Sequence, residues 1–109
     1  MHFDDYQKES RKTAVYPNIG KNFVYPALGL AGETGEVVDK IKKIIRDNNG
    51  ELSDEKIEEL KKEIGDVLWY IAQLATELKI PLSEVAKANL QKLEKRLQDG
   101  KIHGNGDNR

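Results

Sequence analysis

Apolar residues recur along this chain with the period of a helix, not of a strand. Ile57, Leu60, Ile64, Val67, Ile71, Leu74 and Leu78 fall on one stripe at about 100° per residue. Leu30, Thr34, Val37, Val38, Ile41 and Ile45 make a second stripe, and Leu82, Ala86, Leu90, Leu93 and Leu97 a third. Breakers divide these segments. Tyr16-Pro17-Asn18 and Gly20 mark a loop, and Pro26 suits the first turn of a helix running to about Asp47. Asn48-Asn49-Gly50 ends that helix, and Ser53 or Asp54 caps the next, which runs to about Lys79. Ile80-Pro81 breaks the chain again, Ser83 is placed to cap a fourth helix, and Gly100 closes it. A short polar helix from Asp4 to about Thr13, with Phe3 and Tyr6 as its apolar contacts, precedes them all. The pattern predicts an all-α fold: a four-helix core with a short N-terminal helix, in one domain over residues 1–109, without repeats.

Composition narrows what such a fold does. Charged residues make up 34% of the chain and aromatic residues only 6%, which suits charge-laced helices. The net charge of −1 gives no footprint for nucleic acid, so no nucleic-acid partner is expected. There is no cysteine, hence no disulfide framework and no thiolate metal site. No apolar run approaches membrane length, and the expectation is a soluble, cytoplasmic protein with no membrane partner.

Candidate chemistry sits on the shoulders of two stripes. Glu33 and Glu36 are three residues apart, as are Glu63 and Asp66, so each pair points its oxygens to one side of its helix. If the two helices pack side by side, four carboxylates converge, and they require a cation between them. Oxygen-only ligands select Mg²⁺, with Mn²⁺ as a substitute; the two histidines, His2 and His103, lie near the ends of the chain and outside these pairs. Mg²⁺ commonly binds together with substrate phosphates, for which Lys40, Asn89, Lys92 and Arg96 are the cations and donors at hand. The chain has no Gly-x-x-x-x-Gly-Lys-Ser/Thr loop, which excludes a Walker-type nucleotidase. Carboxylates at this spacing are ordinarily solvated, so a non-catalytic helical oligomerisation or binding module is the alternative.

Three further features extend the picture. Gly29, Gly32, Gly35 and Gly65 lie inside helices at a cost of about 1 kcal/mol each, consistent with close packing or with room for a ligand. Gly65, Trp69, Ala72 and Thr76 form a second face on the third helix, which predicts a homo-oligomer with Trp69 in its interface. The polar tail, Lys101 to Arg109, is long enough to fold back at about 3.3 Å per residue, with Arg109 as a phosphate contact.

The stretch Gly-Leu-Ala-Gly-Glu-Thr-Gly-Glu-Val at 29–37, followed by Lys-Lys-Glu-Ile-Gly-Asp-Val-Leu-Trp-Tyr at 61–70, resembles the MazG-like nucleoside triphosphate pyrophosphohydrolases. The likeness covers nearly the whole chain, through Asn89 and Lys92 to the Gly-Asn-Gly-Asp-Asn-Arg tail. It implies an all-α bundle forming dimers or dimers of dimers, so a homodimer or homotetramer. It further implies Mg²⁺-dependent hydrolysis of a nucleoside triphosphate, a dNTP above all, to the monophosphate and pyrophosphate, in a nucleotide-pool house-cleaning role. By the same resemblance Glu33, Glu36, Glu63 and Asp66 are the metal ligands, Tyr70 touches the nucleotide, and Asn89, Lys92 and Arg96 touch phosphate and sugar. Phosphoribosyl-ATP pyrophosphohydrolase, of the same superfamily, is the rival activity. One departure stands out: Gly32 occupies a position where relatives commonly carry a further acid.

Overall fold

A computed structural model describes all residues 1–109, and every regular element in it is helical. The order is α1 (Phe3–Arg11), α2 (Val24–Asn48), α3 (Asp54–Glu77) and α4 (Leu82–Gln98). The breakers act where the sequence places them. Pro26 sits in the first turn of α2, Asn49 and Gly50 turn left-handed at φ 56° and 78°, and the Ser53 hydroxyl accepts the Lys56 N–H at the start of α3. Gly100, at φ 68°, follows the end of α4. The cap of α4 differs from expectation. Pro81 is the N-cap and Ser83 lies inside the first turn, where its N–H and hydroxyl both donate to Asp4 at 2.9 and 2.7 Å. Asp4 thus accepts two donors at a helix start that has no capping side chain of its own, tying α1 to α4.

Helices α2 and α3 pair as a hairpin, and the covered positions show which faces meet. On α2 the least exposed positions include Pro26, Leu30, Glu33, Val37, Lys40 and Ile44; on α3 they include Leu60, Glu63, Val67, Tyr70 and Leu74. Steps of four and three are those of a two-helix seam. This corrects the expected placement of the carboxylates. Glu33 and Glu63 stand within the seam, between apolar layers, not on its shoulder. The stripe expected as core is correspondingly half open: Val38 (61% exposed), Ile45 (64%) and Ile64 (57%) face outward.

The second face of α3 is also not where it was expected. Trp69 is half-buried under the N-terminal segment of its own chain, donating its indole N–H to the Thr13 hydroxyl at 2.9 Å and the Ser10 carbonyl at 3.2 Å. Ala72 and Ala75 let α1 approach closely, and with Leu82 they form a small core against which Tyr6 and Ile71 pack. Thr76 accepts from Gln7. The N-terminal segment therefore covers Trp69, Ala72 and Thr76 of the face assigned to a partner subunit, and leaves Gly65 open.

A buried polar knot locks this arrangement. The Glu77 carboxylate, with no exposed side-chain surface, accepts from Arg11 (2.7 Å), the Tyr16 hydroxyl (2.9 Å) and the backbone N–H groups of Gly20 and Asn22. Burial pushes Glu77 upward, but these four donors win and hold it down to about 2. Gln73, fully buried, bridges Ser10 and Arg11.

Helix α4 leans on α1 and on the end of α3, and it makes no contact with α2. The single chain is consequently open. Its radius of gyration is 16.8 Å, where a compact domain of this length has about 13 Å. No helix is long and apolar enough to cross a membrane.

Candidate metal and nucleotide site

The hairpin seam brings three of the four singled-out carboxylates together. Glu33, Glu63 and Asp66 each present an oxygen within 4.8 Å of the others. Glu33 and Glu63 come from facing seam positions, and Asp66 follows one turn after Glu63 on the exposed side. Glu36, one turn after Glu33, is exposed and lies outside this closest group, though near enough to repel Glu33. Burial and the charges of Asp66, Glu63 and Glu36 push the Glu33 carboxyl above its ordinary range. Such crowding disfavours the ionised cluster by itself. Its donors are all carboxylate oxygens, two of them half-buried between apolar neighbours, so the set fits a hard divalent cation.

Lys40 lies on the same side of α2 as Glu33 and Glu36, its ammonium 3.7 Å from Glu63. One lysine against four carboxylates leaves the cluster strongly negative.

Tyr70 stands beside the cluster because Gly29 makes room for it. A side chain on Gly29 would collide with the Tyr70 ring, so this glycine is a matter of close approach. Gly32, Gly35 and Gly65 differ: nothing lies within 4 Å of where their side chains would begin. The single chain does not use their smallness. Burial, then the neighbouring Tyr25 phenol and the charges of Glu33 and Asp66, raise the Tyr70 hydroxyl above its usual range. Tyr25 stacks on Tyr16 with ring centroids 4.9 Å apart, and Trp69 meets Tyr70 edge-on at 5.0 Å. Tyr6 of α1 also feels Asp66. An aromatic wall thus borders the acidic cluster, anchored through Tyr16 to Glu77.

The remaining residues singled out in the sequence lie elsewhere on the chain. Asn89 is exposed on α4. Lys92 and Arg96 contact Asp107 of the tail, each at 3.1 Å. Arg109 donates to the carbonyls of Lys101, Ile102 and Gly106. Since α4 does not touch α2, one chain does not assemble these groups around the carboxylates.

Sequence reasoning missed Glu77 and Gln73. Their one signal is position: with Trp69 and Thr76 they fall on the side of α3 opposite the main stripe. Polar residues there read as solvated until α1 and the 12–23 loop are seen to cover them. A cavity of about 710 Å³ opens between α1 and the α3–α4 turn. Its polar lining includes Gln7 and Arg11, already committed to structural hydrogen bonds, and none of the clustered acids.

Residues 26–100 match the family described as the MazG nucleotide pyrophosphohydrolase domain. The Gene 37 protein of Mycobacterium phage L5 is 46% identical over 114 aligned residues, covering the full length of both chains. No solved structure matches.

Proposed function

The chain belongs to the MazG nucleotide pyrophosphohydrolase family, and from that premise we propose that it hydrolyses a nucleoside triphosphate, a dNTP above all, to the monophosphate and pyrophosphate with Mg²⁺ as cofactor. The observation that carries the proposal is the convergence of Glu33, Glu63 and Asp66 within 4.8 Å in a helix seam, an all-oxygen set whose mutual repulsion a divalent cation would relieve. Glu36, exposed one turn after Glu33, would be the fourth ligand. These residues would hold a divalent cation, Mg²⁺ or Mn²⁺, whose charge would offset that of the phosphate oxygens.

The protein's own groups do the rest. Tyr70, fixed against Gly29, offers an aromatic surface to the nucleoside. A carboxylate of the cluster accepts a proton from the water that attacks the α-phosphorus, and the bond from that phosphorus to the pyrophosphate oxygen breaks in line. Lys40 keeps a positive charge beside Glu63. Asn89, Lys92 and Arg96 serve the phosphates and sugar, and the lack of contact between α4 and α2 within one chain supports a site shared between subunits of a homodimer or homotetramer.

A pyrophosphate-release screen over the common NTPs and dNTPs, with and without Mg²⁺, tests the activity. Turnover of at least one substrate only with the cation is the expected result; no turnover of any refutes it. Glu63→Gln and Glu36→Gln are expected to lose turnover while circular dichroism stays unchanged. Without cation, Glu63→Gln melts at or above the native temperature, because a repelling charge is gone. Near-native activity of either variant at saturating Mg²⁺ would remove the four-carboxylate site.

A further inference from the structure

Lys92 and Arg96 are held by an anion of their own chain. The Asp107 carboxylate lies 3.1 Å from the Lys92 ammonium and 3.1 Å from the Arg96 guanidinium, which also donates to the Gly106 carbonyl at 3.3 Å. The partners differ in how firmly they are fixed. The Arg96 side chain is 7% exposed, whereas Asp107 is 80% exposed. A buried, pre-positioned cation faces an anion that leaves at little cost in burial. The Nε of Arg96 is buried with no partner at all, so the tail satisfies this guanidinium incompletely.

The rest of the tail is shaped to present that carboxylate. Gly106 turns left-handed at φ 82°, and Arg109 folds inward onto three tail carbonyls. Gly104 lies against the Arg109 side chain with no room for a Cβ. Beside Asp107 a cavity of about 250 Å³ is lined by Lys92, Arg96, Arg109 and Lys95, the last already paired with Asp99 of the same lining at 2.8 Å. A carboxylate brings one charge to these cations; a diphosphate brings several, and more acceptor oxygens for a planar guanidinium.

We propose that the tail is a displaceable strap: Asp107 occupies the phosphate-binding pair Lys92 and Arg96, and the di- or triphosphate of the nucleotide, or product pyrophosphate, takes its place and releases residues 101–109. This rests on the reading of Lys92 and Arg96 as phosphate contacts. It replaces the expectation of Arg109 as a phosphate contact: Arg109 is turned onto carbonyls of the tail itself, and the tail lies against α4 through Asp107. Affinity for the anion is lowered by the fraction of molecules in which the strap is docked.

Two measurements on the full chain test it, neither of which needs turnover. Calorimetric titration with inorganic pyrophosphate compares the native protein with Asp107→Asn, which keeps the shape and removes the charge. Two ion pairs to an exposed carboxylate predict about three- to tenfold tighter binding in the variant. Equal or weaker binding, or no pyrophosphate binding by either protein, overturns the strap. The second measurement is cleavage of the Lys101–Ile102 bond by an endoproteinase that cuts after lysine. The Lys101 carbonyl is held by Arg109, so saturating pyrophosphate is expected to speed this cut several-fold. An unchanged or slower rate means the tail stays docked or closes over the ligand, and either sinks the proposal. If instead the native protein hydrolyses no nucleotide while both results hold, the strap stands and the assigned reaction falls.

Discussion

Four interior glycines look alike in the sequence and separate once their surroundings are seen. Gly29 admits the Tyr70 ring, so Gly29→Ala must push that ring away. The substitution is expected to cost about 1–3 kcal/mol of stability as overpacking, and to raise KM for nucleotide more than it lowers kcat. Gly32, Gly35 and Gly65 meet nothing within the chain, and alanine there supplies better helix propensity, by roughly 0.5–1 kcal/mol each. Denaturation under monomeric conditions is expected to show that gain. If Gly35→Ala or Gly65→Ala destabilises only the assembled protein, a neighbouring subunit occupies the space. The spacing of these glycines was legible from sequence; which of them touches something was not, because it depends on one aromatic ring across the seam. The carboxylates tell a similar story. Their pairing was readable from a three-residue step, but their place inside the seam follows from how the hairpin rotates. That rotation makes Glu33 and Glu63 half-buried and leaves Glu36 and Asp66 exposed.

Among the elements, the C-terminal end of α3 carries a load that its sequence hides. Glu77 gathers Arg11 from α1, Tyr16, and two loop N–H groups, so one carboxylate fixes the 12–23 segment that supports Tyr25 and Tyr70. Its ordinary pKa of 4.5 is lowered to about 2 in the fold. A group lowered in the folded state contributes its full stability above the unfolded value, and that contribution fades as pH falls from about 4.5 towards 2. Chemical denaturation at high salt, which screens exposed pairs such as those of Asp39 and Asp47, is expected to show a loss across this window. Glu77→Gln is expected to flatten it, at a cost at neutral pH of roughly 3 kcal/mol for leaving Arg11 without its partner. An unchanged acid profile in the variant would show that other carboxylates carry the dependence. Helix limits were largely readable from Pro26, Asn49-Gly50, Ser53 and Gly100. The knot was not, since α1 and its loop reach α3 across some sixty residues of chain.

At the scale of the whole molecule, the open apolar surface decides what the chain does with itself. Helical spacing puts Val38, Ile41 and Ile45 of α2 on the same side of the hairpin as Ile57 and Ile64 of α3, and all five are at least 45% exposed. Leu90 and Leu97 are likewise open on α4. These are the stripes that a four-helix core needs, yet a single chain with α4 turned away from α2 leaves them wet. A second copy offering the same face would bury them. The interface is therefore expected on the Ile41 and Ile64 side, not around Trp69, whose face α1 has filled. Sedimentation at micromolar concentration is expected to show a multiple of the 12.4 kDa chain. Ile64→Asp places a charge in the middle of the apolar patch, and it is expected to shift the protein to monomer with loss of turnover while α-helical content persists. Trp69→Phe, which removes only the indole donor, is expected to leave the assembly intact. A native protein that sediments as a single 12.4 kDa species, yet turns over nucleotide at full rate, would show that one chain closes its own site.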